Sequence, residues 1–324
     1  MTAPLTAKMI YDLNNSNAAH QRSQAGTLLG RLSPAGYVFY VDQNAGDDSN
    51  DGSSWASAFQ TLSVAMAAST AAVASAAFGW SARNVIYAKG DPSGSDSFVE
   101  DLVLLAPKTD IVGVGSWDRF PYAGLMGNHV PVGATCSFGT RFFNFKFRGD
   151  ATTGGDIWVL TNATSGLEFH NCLFDGKSGT AATGAIVSPV TPPEHLKIVD
   201  SQFLGVYSDS VIEIAGTGSA RGLLIKGNHI EGADVGIEIG ASVTASTGAT
   251  LEAIFIEDNK IVTTGMSIKD SSGVAYITRN NCFSGAAKGT TGFGILTGTL
   301  ARMQDNRITG SNINNGVTPA QGTL

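Results

Sequence analysis

Charge is scarce in this chain. Only 15% of its 324 residues are Asp, Glu, Lys or Arg, where about a quarter is usual for a soluble domain. The 20 Lys and Arg are outnumbered by 27 Asp and Glu, for a net charge of −7, and they form no basic cluster. A surface that neutralises phosphates needs such clusters, so nucleic acid is not an expected partner. Long apolar runs are missing as well. The longest small-residue stretch, VAMAASTAAVASAAFGW, is broken by Ser and Thr, and nothing reads as a membrane span. The opening MTAPLTAKMIYDLNNSNAAHQRSQAGTLLGRL lacks the charged-then-apolar order of a secretory signal. Cys136, Cys172 and Cys282 are an odd count without metal-like spacing, and read as reduced, buried thiols of a protein made in a cytoplasm. The 5 His are scattered, and no cofactor is expected. Between Gly139 and Gly310 no helical period is sustained.

What the chain has is a repeat. The pattern apolar, two variable residues, small polar, one variable, apolar occurs as FHNCLF (169–174), IVDSQF (198–203), IKGNHI (225–230), IEDNKI (256–261), ITRNNC (277–282) and MQDNRI (303–308), with a degenerate copy FFNFKF at 142–147. First positions are spaced by 27, 29, 27, 31, 21 and 26 residues. A second strand signal follows most copies after a Gly-containing turn, as in SVIEIAG (210–216) and VGIEIGA (235–241). A unit this short cannot bury its own apolar face, so successive units must stack. The expectation is a coil of short parallel strands, with rungs about 4.8 Å apart and apolar residues in columns inside. Phe147, Phe174, Phe203, Ile230, Ile261, Cys282 and Ile308 make one such column. The small polar position holds Asn228, Asn259, Asn280 and Asn306, where an Asn is expected both to take the left-handed backbone of a turn and to bond to the Asn above and below.

These six-residue rungs and the Asn ladder resemble the single-stranded right-handed parallel β-helix of pectate lyases and phage tailspikes. The opening region strengthens the likeness. In YVFYVDQNAGDDSNDGSSWASAFQTLSVAMAAST (37–70) a strand, an acidic loop and a Trp precede an amphipathic helix near 55–77. Ser54 or Ser57 is its expected cap, and Phe59, Leu62 and Met66 are its apolar stripe, placed to cover the open end of the coil. The implied fold is all-β, a right-handed solenoid over 37–310 with that capping helix, an extended arm over 1–36 and a polar tail over 311–324.

Candidate chemistry is thinner. In DDSNDG, Asp47, Ser49 and Asp51 partly imitate a calcium loop, but the twelfth position is Ala58 where a Glu would be needed, so a solvated turn is the reading. Just before the ladder residue stand Asp200, Asp258, Arg279 and Asp305. They form either a substrate-facing carboxylate row with Arg279 as a lyase-type base, or an ion-pair ladder; the alternating sign favours the ladder. Trp117, Phe120 and Tyr122 are the sugar-stacking candidates of this alternative, which makes the protein a tailspike-type binder or degrader of a host glycan. The patterns of polygalacturonases (NTD, a paired Asp on a rung, GHG, RIK) are absent.

The arm decides the preferred expectation. It is polar with isolated Ile10, Leu13, Leu28, Leu29 and Leu32, cannot form a core alone, and is similar to N-terminal segments of proteins from tailed-phage head modules. That resemblance implies a non-enzymatic capsid decoration or cement protein on the outer surface of a virion assembled in the host cytoplasm. Its partners would be the major capsid protein and, at a symmetry axis, two further copies in a homotrimer.

Overall fold

The computed structural model describes residues 36–75, 83–90, 98–115, 123–132, 138–150, 155–161, 165–176, 182–245, 254–284, 293–297, 302–309 and 312–314. The anchoring residues Ile10, Leu13, Leu28, Leu29 and Leu32, together with Cys136 and the aromatics Trp117, Phe120 and Tyr122, lie outside the described residues.

Strands stack in parallel, turn upon turn, as a parallel β-helix. One sheet of ten strands takes a strand from each turn in chain order, from Val38–Asp42 to Arg302–Gln304. A sheet of 14 strands supplies two further faces, because the 11-residue strands His229–Ile239 and Lys260–Asp270 run on through a corner and belong to both. The third face then consists of Trp158–Val159, Ile186–Ser188, Ser210–Ile214, the later halves of those two long strands, Phe293–Thr297 and Asn312–Asn314. The stack therefore passes residue 310, where the sequence placed its end, and takes in part of the expected tail.

Register follows from what must be buried. On the first face Phe142, Phe169, Ile198, Ile225, Ile256, Ile277 and Met303 are successive partners. On the second, the column Phe147, Phe174, Phe203, Ile230, Ile261, Cys282, Ile308 stands as expected. Shifting one strand by a residue would turn its whole apolar set outward, which is why the columns hold. Phe142, Phe145, Phe147, Phe169, Phe174, Phe203 and Trp158 are fully buried, each contributing about 2–3 kcal/mol by burial. Phe174 and Phe203 stack with centroids 4.5 Å apart.

The corners correct one expectation. The ladder asparagines do not carry the left-handed backbone; the residue before each does. Asn144, Asn171, Asp200, Asp258, Arg279 and Asp305 all have φ between 50° and 60°, and Gly227 has 69°. The ladder amide serves instead inside the corner. Asn259 Nδ2 donates to Ile225 O (3.0 Å) and to Asn280 Oδ1 (2.9 Å), while its own Oδ1 accepts from Asn228 N and Nδ2 (both 3.0 Å). Asn280 repeats this with Ile256 O and Asn306 Oδ1.

The N-terminal cap also departs from expectation. Residues Trp55–Ser57 form a 3-10 turn capped by Ser54, and the α-helix spans Leu62–Ser75. Carboxylates from elsewhere cap the α-helix: Asp48 accepts from Gln60 N and Thr61 N (2.9 Å each), and Glu100 from Leu62 N (2.8 Å) and Ser63 N (3.0 Å). Leu62, Ala65 and Met66 join the core of Val41 and Ile86, with Phe59 packed beside them.

Candidate functional site

Part of the column singled out in the sequence, Asp258 and Arg279, joins Lys226 and Glu257 in an ion-pair network. Arg279 grips Asp258 with two bonds (2.7 and 2.8 Å) and reaches Glu257 (2.7 Å). Lys226 lies 3.0 Å from Glu257 and 3.7 Å from Asp258. Asp258 and then Glu257 raise the Arg279 guanidinium further above its ordinary value. That is the wrong direction for a base, which must be neutral to take a proton. Asp200 lies over Gly227, where a Cβ would sit 2.4 Å from its Oδ1. Asp305 follows Arg279 in the column; among the described residues the carboxylates paired with Arg279 are Glu257 and Asp258. Asp200, Asp258, Arg279 and Asp305 thus share a corner column, and of the four it is Asp258 and Arg279 that pair with each other.

A different constellation stands on the third face. Outward partners on consecutive strands there are Val187, Glu213, Glu238 and Lys269. Two like charges directly opposite, about 4.8 Å apart between strands, are unfavourable. Glu238 is held by Lys269 Nζ (2.5 Å) and by Ser210 Oγ, which donates at 2.8 Å. Asp209, adjoining Ser210, accepts that residue's backbone N–H at 2.9 Å. Asp156 leans across Gly184, where a Cβ would lie 3.2 Å from Asp156 Oδ1 and 2.9 Å from Ser210 O. That Oδ1 is buried without a partner among the described residues.

The environments of these carboxylates differ. Burial, then the charges of Glu238, Asp209 and Asp156, push the Glu213 carboxyl above its ordinary value, and Lys269 opposes them only in part. Burial, with Asp209 behind it, pushes Asp156 up against the pull of the Gly184 N–H.

The chain matches no protein-family model and no curated protein. Among solved structures it is similar to one titled "Crystal structure of pectate lyase Pel9A", with TM-score 0.35 and 14% identity, covering 86% of this chain and 64% of that one. The chain thus spans less than two thirds of that protein's length.

Chemically, two opposed carboxyls, one raised by its surroundings and the other paired with a Lys, are the kind of pairing that can protonate one atom of a substrate while stabilising positive charge on another. The sequence carried a trace of it in the paired EI of SVIEIAG and VGIEIGA. Asp156 and Asp209 carried none, since each lies just outside a strand and neither has a counterpart at a fixed place in the other copies. The opening loop, by contrast, uses its acids on itself. Asp47 Oδ1 accepts from Ser49 N and Oγ (2.8 Å each), and Asp51 Oδ1 from Ser53 N (2.9 Å). Among the described residues no group of three His, Cys, Asp or Glu is placed to hold a metal ion.

Proposed function

We propose that this β-helix engages a polysaccharide on its third face and cleaves it by acid–base hydrolysis, with Glu213 or Asp156 as the proton donor and Glu238, paired with Lys269, as the second carboxylate. The observation that carries this reading is the opposed Glu213–Glu238 pair, one carboxyl raised by its surroundings and the other tied to Lys269. Neutral and acidic polysaccharides incubated with the protein should release reducing ends, with an acid-side optimum. Glu213→Gln and Asp156→Asn should reveal the donor by a loss of about 10²–10⁴-fold for one of them. No release from any polymer by the unaltered protein, or unchanged rates in both variants, sinks the hydrolytic reading.

A second reading, the virion decoration protein, is favoured by a different feature. Two groups of ion pairs, Arg83–Asp110–Arg141 and Glu168–Lys197, tie neighbouring rungs of the first face by contacts of 2.6–2.8 Å, which stiffens the coil. Here residues 1–36 would dock on the major capsid protein, in a homotrimer. Full-length protein should then co-sediment with capsids that lack it, and a chain deleted for residues 1–36 should not.

A further inference from the structure

One feature outside the third face groups three aromatic rings on the outside of the coil. On the outer side of the first two rungs, Tyr40 and Tyr87 are register partners with ring centroids 5.9 Å apart, and Trp55 sets its edge against Tyr40 at 4.9 Å. Trp55 is 42% exposed, yet its loop is fastened to the strand on both sides of it. Tyr40 N donates to Gly52 O (2.9 Å), Phe59 N donates to Tyr40 O (3.0 Å), and Gly52 N closes the turn on Ser57 O (2.9 Å). Three rings are therefore held in place before anything binds, so little ordering is needed on contact. Polar groups border them. The Ser53 and Ser57 hydroxyls sit 3.2 Å apart, and Lys89, half-exposed, spends one donor on buried Asp42 at 2.8 Å. Besides Asp42, which pairs with Lys89, the opening loop carries Asp47, Asp48 and Asp51.

We infer that Tyr40, Trp55 and Tyr87 form a stacking shelf for a neutral hexopyranose chain. Rings offer a π-face to the apolar C–H side of a sugar, and the flanking hydroxyls and ammonium meet its hydroxyls. The acidic loop repels polyuronates and nucleic acid. The inference shares with the proposed function only its ligand class, and its site is separate.

The test is calorimetric titration with cellohexaose, maltohexaose and a galacturonate hexamer, on the full chain and on Trp55→Ala, Trp55→Phe and Glu213→Gln. Binding of a neutral hexasaccharide is expected, at least tenfold weaker in Trp55→Ala, recovered by the ring of Trp55→Phe, and persisting in Glu213→Gln. Circular dichroism verifies that Trp55→Ala is folded. Tighter binding of the galacturonate, unchanged affinity in Trp55→Ala, or no hexasaccharide bound overturns the shelf. Shelf binding without any release of reducing ends would instead count against hydrolysis and leave the shelf standing.

Discussion

At the scale of the residue, one buried amide does work that no apolar side chain can. Asn259 is fully buried, and it satisfies Asn228 N above and Ile225 O inside the corner while its own backbone N–H donates to Asn280 Oδ1. Removing it strands several buried polar groups at once, each costing about 1–3 kcal/mol. Asn259→Ala should therefore lose about 3–5 kcal/mol in urea unfolding, well beyond a surface substitution; a loss under 1 kcal/mol would show that the ladder is incidental. The ladder was legible because Asn recurs in register in the sequence. Its conformational role was misplaced by one residue: the preceding position, with Asn144, Asn171, Asp200, Gly227, Asp258 and Asp305, holds types as much at home in left-handed backbone as the ladder Asn, so residue type alone did not decide between the two. Arg279, with φ of 55°, is a poor candidate for that conformation on intrinsic grounds; its hold on Asp258 and Glu257 accompanies the strain.

At the scale of the element, glycine sets how closely turns approach. Within the strand His229–Ile239 the register slips between Glu231 and Val235, and Gly232 lies in the bulge with φ of 84°. A Cβ there would sit 1.8 Å from Gly205 O, a backbone atom that has no room to yield. Gly232→Ala should thus cost more than about 3 kcal/mol, strain and clash together, or prevent folding. Gly222→Ala, which would meet a His195 ring instead of backbone, should cost less; equal losses in the two would refute the close-approach explanation. The helix shows what local sequence missed. Serines 54 and 57 are good caps by type, but the α-helix starts at Leu62 and draws its caps from Asp48 and Glu100, the latter 38 residues away from Leu62. Capping by a distant carboxylate leaves no local pattern.

For the whole molecule, stability should depend on pH through two groups of the coil, buried His129 and half-buried Glu168. Burial holds the His129 imidazole down at about 3, so it stays neutral when folded. Burial alone would raise Glu168, but hydrogen bonds from His170 and Lys197 and their charges bring it to about 2. Both groups bind more protons unfolded than folded, His129 between its ordinary 6.5 and about 3, Glu168 between 4.5 and about 2. Their contributions are full above those ordinary values and are lost as pH falls through each window. Glu213 and Asp156 work the other way: raised when folded, they stabilise below their ordinary values and lose this as pH rises. Glu168→Gln should cost about 2 kcal/mol near pH 7, allowing for solvent screening, and should flatten the fall below pH 4.5. A parallel stability curve for variant and parent would overturn this assignment.

What the sequence determined by itself was the coil: which residues face inward, which pair between turns, and that the strands run parallel. Burial imposes those choices on every rung alike, so they repeat and can be read. The tertiary structure alone decided what the outside does. Asp156, the Asp209–Glu213 stretch and Glu238 belong to three different turns, and Tyr40 and Tyr87 to two, with Trp55 in the loop between them. Outward side chains obey no periodic demand, and the turns differ in length. Only stacking brings those groups face to face.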